Sequence, residues 1–212
     1  MSKPSHIAIP SIPIITQAIW DDLAKEYRKA EVVVEGGLKL KEIFFYLGHT
    51  RNNSTMLHSV VSHMHKEIGN YKFDDSYRLL KAVVLESFFS LRESIAGLVN
   101  VVYNLGIDVE KSGSSHKIFK ETKIKDLRIA GYLNELIPQS SKLGNYLKKY
   151  RHPFIQREDL SGFSVQDITS MLIGKEQPRI TEFITKSHET SLWMKEIESS
   201  IAKECKKQLN LS

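Results

Sequence analysis

One cysteine in 212 residues leaves nothing for an internal disulfide to join. The chain is expected to hold together by packing, in a reducing, cytoplasmic setting. Cys205 has Ile201 and Leu209 four residues to either side, which suits a small buried hydrophobe better than a nucleophile. Long apolar runs are missing too. Pro10 and Pro13 break the hydrophobic start of the chain, so neither a signal peptide nor an anchor is expected there. The most apolar segment, 82–105, is interrupted by Glu86, Arg92 and Glu93. That is too much charge for a membrane span and fits a buried helix in a soluble protein. No G-x-x-x-x-G-K, G-x-G-x-x-G, G-x-S-x-G or H-E-x-x-H occurs, so nucleotide-dependent phosphotransfer, serine hydrolysis and zincin chemistry have no support. No cofactor is expected.

Strand alternation is also absent, and helical period takes its place. After a proline-rich arm, 1–14, residues 15–35 put Ile15, Ala18, Ile19, Leu23 and Tyr27 on one face, with Gly36 and Gly37 as a stop. A second helix is expected over 38–69, with a break near Gly48 and "TRNNS". A short "VVV" at 32–34 has strand character but no partner run. The third helix, 75–105, has Asp74 or Asp75 for a cap and Gly106 after its last turn. Residues 107–123 read as a basic connection, followed by helices near 124–136 and 139–152 on either side of Pro138. Ser164 and Asp167 resemble a capping box, and a last long helix starts with Pro178 in its first turn. The expected fold is an all-α helical bundle of up-and-down helices over 73–212, with extra N-terminal helices over 15–72 packed into the same domain.

The helix at 75–105 is apolar around most of its circumference, so it belongs at the centre of the bundle or at an interface between two copies of the chain. One stripe differs: Glu86, Ser90, Glu93, Gly97, Asn100 and Asn104 fall within roughly 80° of one another. It is either a solvent face or an interior polar seam in which Glu86, Glu93 and Asn100 meet basic partners such as Arg151, because buried charge must be paired. In "LHSVVSHMHKE", His58 and His65 share a face while His63 points elsewhere. No carboxylate or cysteine stands at a familiar ligand spacing, so no metal site is expected.

Charge is unevenly placed. Residues 111–157 hold 11 Lys/Arg against 3 Asp/Glu, a balance of +8, while the rest of the chain holds 19 against 22, a balance of −3. A basic stretch of this kind is the electrostatic footprint of a polyanion, and Lys142, Lys148, Lys149, Arg151 and Arg157 are its candidate phosphate contacts. An acidic protein partner is the alternative, and a solvated lysine-rich surface the plainest one.

The stretch ends in "YRHPFIQRE", Tyr150 to Glu158. Its frame is Arg151, His152, the apolar pair Phe154–Ile155, then Gln156 and Arg157. Together with the lysine-bearing "YLKKY" before it and the long polar-striped helix upstream, this resembles the HEPN superfamily over about residues 75–210. The resemblance implies a bundle of four or five helices, a homodimer with two motifs facing each other, and in many relatives a metal-independent endoribonuclease. It implies that Arg151 holds a phosphate and that a histidine moves the proton when an RNA 2′-hydroxyl attacks. Gln156 stands where the family has that histidine. An amide cannot give or take a proton near neutral pH, and loss of the general acid-base group costs on the order of 10²–10⁴ in rate. His152 is the remaining candidate, but Pro153 after it disfavours helical geometry at that position. The expectation is an RNA-associated HEPN-like protein with weak or lost ribonuclease activity; the alternatives are an active endoribonuclease and a non-enzymatic protein-interaction module.

Overall fold

The computed structural model describes residues 17–31, 37–72, 75–109, 114–121, 128–136 and 176–209. Six helices lie among them: α1 (Gln17–Glu31), α2 (Gly37–Lys66), α3 (Asp75–Val102), α4 (Ser114–Lys120), α5 (Arg128–Glu135) and α6 (Glu176–Leu209). The described residues contain no strand, so the all-α expectation holds. The "VVV" segment, the expected helices near 139–152 and 164–174, and all of 137–175 lie outside the described residues.

Helices α2 and α3 form an antiparallel hairpin around the turn at 67–70, where the Asn70 amide donates to the Glu67 carbonyl. Gly97 of α3 lies against the ring of Tyr46 of α2, at matching distances from that turn, as antiparallel pairing requires. Helix α6 runs antiparallel to α2, because His58 meets Glu198 and His65 meets His188. It runs parallel to α1, where Trp20 meets Glu198 and Tyr27 meets Cys205. Helix α2 therefore lies among the other three long helices, and one apolar core extends from Trp20 to Cys205. At about 1.5 Å per residue α2 and α6 are roughly 45 and 50 Å long. Their contacts at His58–Glu198 and His65–His188 join the C-terminal part of α2 to the middle of α6.

Helix α2 is continuous through Gly48 and "TRNNS". Gly48 has open space beside it on the exposed side, while Leu47, Thr50 and Ser54 are buried. Packing on the inner face thus outweighs the cost of about 1 kcal/mol for a mid-helix glycine. Gly37, expected as part of a stop, is instead the first residue of α2. The connection expected over 107–123 includes α4, a short helix pinned by the buried Ile118 and preceded by a hydrogen bond from Ser114 Oγ to the Val109 carbonyl at 2.9 Å.

Helix α3 buries Val84, Leu85, Phe88, Phe89, Leu91, Ile95, Leu98, Val99 and Val101, with α2, α4 and α6 packed around it. It packs against α2, α4 and α6 within one chain, which covers most of its apolar circumference and leaves Leu79 exposed near its start. It ends by passing through two left-handed residues, Asn104 at φ 52° and Gly106 at φ 69°. Asparagine and glycine are the residues that tolerate that conformation after a helix.

Gly97 provides the closest approach in the hairpin. A Cβ there would overlap the ring of Tyr46, not its flexible tip, so ring or helix must move. Gly97→Ala is expected to lower unfolding free energy by about 1–3 kcal/mol despite alanine's better helix propensity. Urea denaturation of the two proteins checks this, and Gly48→Ala, with open space at its Cβ, should do the reverse by up to about 1 kcal/mol.

Candidate functional site

Amphipathic helices bury one face, and a polar residue on that face needs a partner. On α6 the buried stripe of Ile180, Ile184, Met194 and Ile201 also carries Ser187, Ser191 and Glu198. On α2, His58 lies among Leu57, Val61 and Met64. The antiparallel packing of α2 on α6 brings these intruders together. His58 Nε2 lies 2.6 Å from Glu198 Oε1, and His58 Nδ1 lies 2.6 Å from Ser191 Oγ. From α1, Trp20 Nε1 donates to the other carboxylate oxygen, Glu198 Oε2, at 2.8 Å. Three helices therefore meet on one carboxylate.

Every member of the cluster is sealed: Trp20 is 1% exposed, Glu198 2%, Ser191 3% and His58 4%. The trio of serine, histidine and acid has the composition of a hydrolytic triad, but a nucleophile must reach a substrate and this hydroxyl faces the core. The arrangement is suited to holding helices in register. With Glu198 ionised, His58 Nε2–H donates to it, and Nδ1 either accepts from the Ser191 hydroxyl or, when protonated, donates to it. Both ring nitrogens are satisfied in either state.

More buried hydroxyls stand at helical spacing from the cluster. Thr50 and Ser54 precede His58 by two turns and one turn of α2, and Ser187 precedes Ser191 by one turn of α6. All three are buried, and their hydroxyls have no hydrogen-bond partner among the described residues. Thr190, by contrast, donates back to the Lys186 carbonyl at 2.7 Å. Below the cluster, the Tyr27 hydroxyl donates to the Cys205 carbonyl at 3.3 Å. Burial, with Glu204 adding to it, pushes the Cys205 thiol up to about 12. The thiol is therefore un-ionised and inert at neutral pH. Burial also raises Tyr27 and Tyr103 well above the ordinary phenol range. Ion pairs at the rim, Arg51–Asp21 at 3.2 Å and Lys206–Glu26 at 3.8 Å, bind α1 to α2 and α6 on the solvent side, where such pairs contribute little.

Of the residues singled out in the sequence, His58 belongs to this cluster. Arg151, His152 and Gln156 lie outside the described residues, and so do Lys142, Lys148, Lys149 and Arg157. The polar stripe of α3 divides along its length. Glu86 and Glu93 are exposed, with Ser90 Oγ donating to Glu86 Oε1 at 3.0 Å, so the carboxylates occupy a solvent face and not an interior seam. Asn100 is buried and its amide clamps the turn after the helix. Its Nδ2 donates to the Ile107 carbonyl at 2.8 Å, and its Oδ1 accepts from the Ile107 amide at 3.1 Å. Of the three histidines near residue 60, His58 joins the buried cluster and His65 stacks on His188. No group of three or more candidate metal ligands forms among the described residues. No helix among them is long and apolar enough to cross a membrane. Comparison with family models, with curated proteins and with solved structures finds no match to this chain.

Removing one partner of a buried charged cluster leaves the others unsatisfied, which typically costs about 3–5 kcal/mol. Glu198→Ala should lose that much in urea denaturation, because it strands both His58 and the Trp20 N–H. Ser54→Ala, which deletes a buried hydroxyl with no partner, should change stability by less than about 1 kcal/mol in either direction. Equal losses from the two variants would contradict a special role for the carboxylate.

Proposed function

We propose that the chain is an RNA-associating helical protein of HEPN-like type, binding through the basic stretch 111–157, with ribonuclease activity weak or absent. The observation that carries this reading is the segregation of charge: +8 within that stretch and −3 over all the rest. The described opening of the stretch adds support. Ile118 of α4 and Ile129 and Leu133 of α5 are buried in the core, while Lys117, Lys120 and Arg128 stay exposed. Helix α4 packs on α3, and α5 on α6, so these cations are carried on a fixed surface. Cations held in place can neutralise successive phosphates and release their counterions.

The HEPN likeness assigns Arg151 to the phosphate and leaves Gln156 in the place of the proton-moving histidine. Self-association, which the same likeness implies, then falls to the motif region, because α3 buries most of its apolar surface inside the chain. An acidic protein partner would use the same cations. The salt response separates the two, since only a regular polyanion gives a slope that scales with the number of phosphates contacted.

Binding to single-stranded RNA, measured by fluorescence anisotropy across a salt series, should weaken with a slope of roughly −0.7 per phosphate contact. Replacing Lys148 and Lys149 together should flatten it by about 1–1.5. No measurable RNA affinity at low salt would overturn the proposal in favour of a protein partner.

In EDTA the wild type should leave total RNA intact, whereas Gln156→His should cleave it, with a rate that depends on pH near the histidine range of about 6.5. Arg151→Ala in that background should abolish the gain. Cleavage by the wild type that is lost in His152→Ala would show an active enzyme instead.

A further inference from the structure

The α2–α6 seam that encloses the buried cluster ends in a second pair of facing side chains. His65, in the last turn of α2, lies flat against His188 of α6, with ring centroids 3.8 Å apart and planes within 8° of parallel. Parallel rings at this spacing cannot both place a metal ion in their own plane, as imidazole ligation requires. The pair is therefore built for contact between rings. Such contact is favourable while at least one ring is neutral. It becomes a meeting of like charges when both are protonated.

We propose that the His65–His188 stack is a proton-operated latch, which holds the last turn of α2 on α6 while one imidazole is neutral and opens when both are charged. The surrounding charges favour this. Partial burial, then His65, then Lys195 hold His188 below its ordinary range, and Glu189 on the same helix opposes them only in part. Glu189 is itself engaged by Lys186 at 2.8 Å. The last turn of α2 adds two more bases beside His65, namely His63 and Lys66. From α3, Lys81 is directed to the Phe183 ring, more than a turn of α6 before His188. Helix α1 meets α6 further along, at Glu198, Cys205 and Lys206. Helix α5, which also packs on α6, carries the exposed Arg128, which does not enter the shift of His188. No carboxylate other than Glu189 offsets the cations around His188 in its shift.

The sign follows from the lowered value. An unfolded chain takes up a proton at this histidine near its ordinary value of about 6.5, while the folded chain resists until a lower pH. The contact is fully stabilising above that ordinary range. It weakens as pH falls from there through the folded value.

The test is an imidazole titration of the full chain by NMR, with hydrogen exchange at the Glu67 amide, which donates to the His63 carbonyl at 3.1 Å and reports on the end of α2. His188 should titrate below the ordinary range. Each unit of depression should make opening about tenfold more favourable once pH is below both values, with exchange at Glu67 faster by that factor after correction for its intrinsic rate. His65→Phe keeps a flat ring in the stack and removes the imidazole. It should move the His188 transition upward and reduce the acid-dependent exchange, with burial and Lys195 left to maintain the remainder. His65→Gln, which removes the ring, should move the transition in the same direction. An unchanged His188 transition in both variants would overturn the latch. So would acid-accelerated exchange in His65→Phe equal to that of the wild type.

Discussion

A carboxylate inside a helical bundle has to be answered on both oxygens, and Glu198 is answered from two different helices. The requirement ties α1, α2 and α6 together at one point and fixes their axial positions. An apolar stripe alone would let a long helix slide by a turn at modest cost, since Ile and Leu rows look alike one turn along. A hydrogen-bonded charge removes that freedom, because displacement by a turn would strand it in the core. Burying such a group gives little net stability; its effect is to make the alternative packings worse. The Asn100 clamp does the same at the end of α3, where two hydrogen bonds to Ile107 set where the chain leaves the bundle.

Much of the fold was legible because helical period is a local property. The stripes of Leu23 and Tyr27, of Leu57, Val61 and Met64, and of Phe183, Ile197 and Ile201 are buried as their spacing predicts. The errors came where tertiary contact overrides local preference. Gly48 does not break α2, since the residues beside it pack inward. Gly37 opens a helix instead of closing one, and Ile118 draws a polar, glycine-flanked segment into a short helix.

The site was less legible. Period places His58 and Glu198 each on a buried face, but says nothing of which residue 140 positions away will stand opposite. The available signal was the anomaly itself, a histidine on one apolar stripe and a glutamate on another, each of which demands a partner. Two such anomalies in one chain are evidence for each other. The α3 stripe shows the converse difficulty. Its six polar or small residues share an angle but not an environment, because Tyr46 covers Gly97 while Glu86 and Glu93 are exposed. Angular position fixes direction, and the neighbour decides burial.

The separation in sequence between Trp20 and Glu198 also bears on the order of assembly. The α2–α3 hairpin closes over a turn of a few residues, whereas the bond from α1 to α6 closes a loop of 178. Loop-closure entropy makes the second contact costlier by about 2–3 kcal/mol if both formed from an open chain. During synthesis the hairpin can form early, while the apolar face of α1, with Trp20, Leu23 and Tyr27, emerges first and must wait for α6 to supply part of its seat. That face stays open to a chaperone during the wait, and α1 is the segment most easily lent to a neighbouring copy of the chain in that interval.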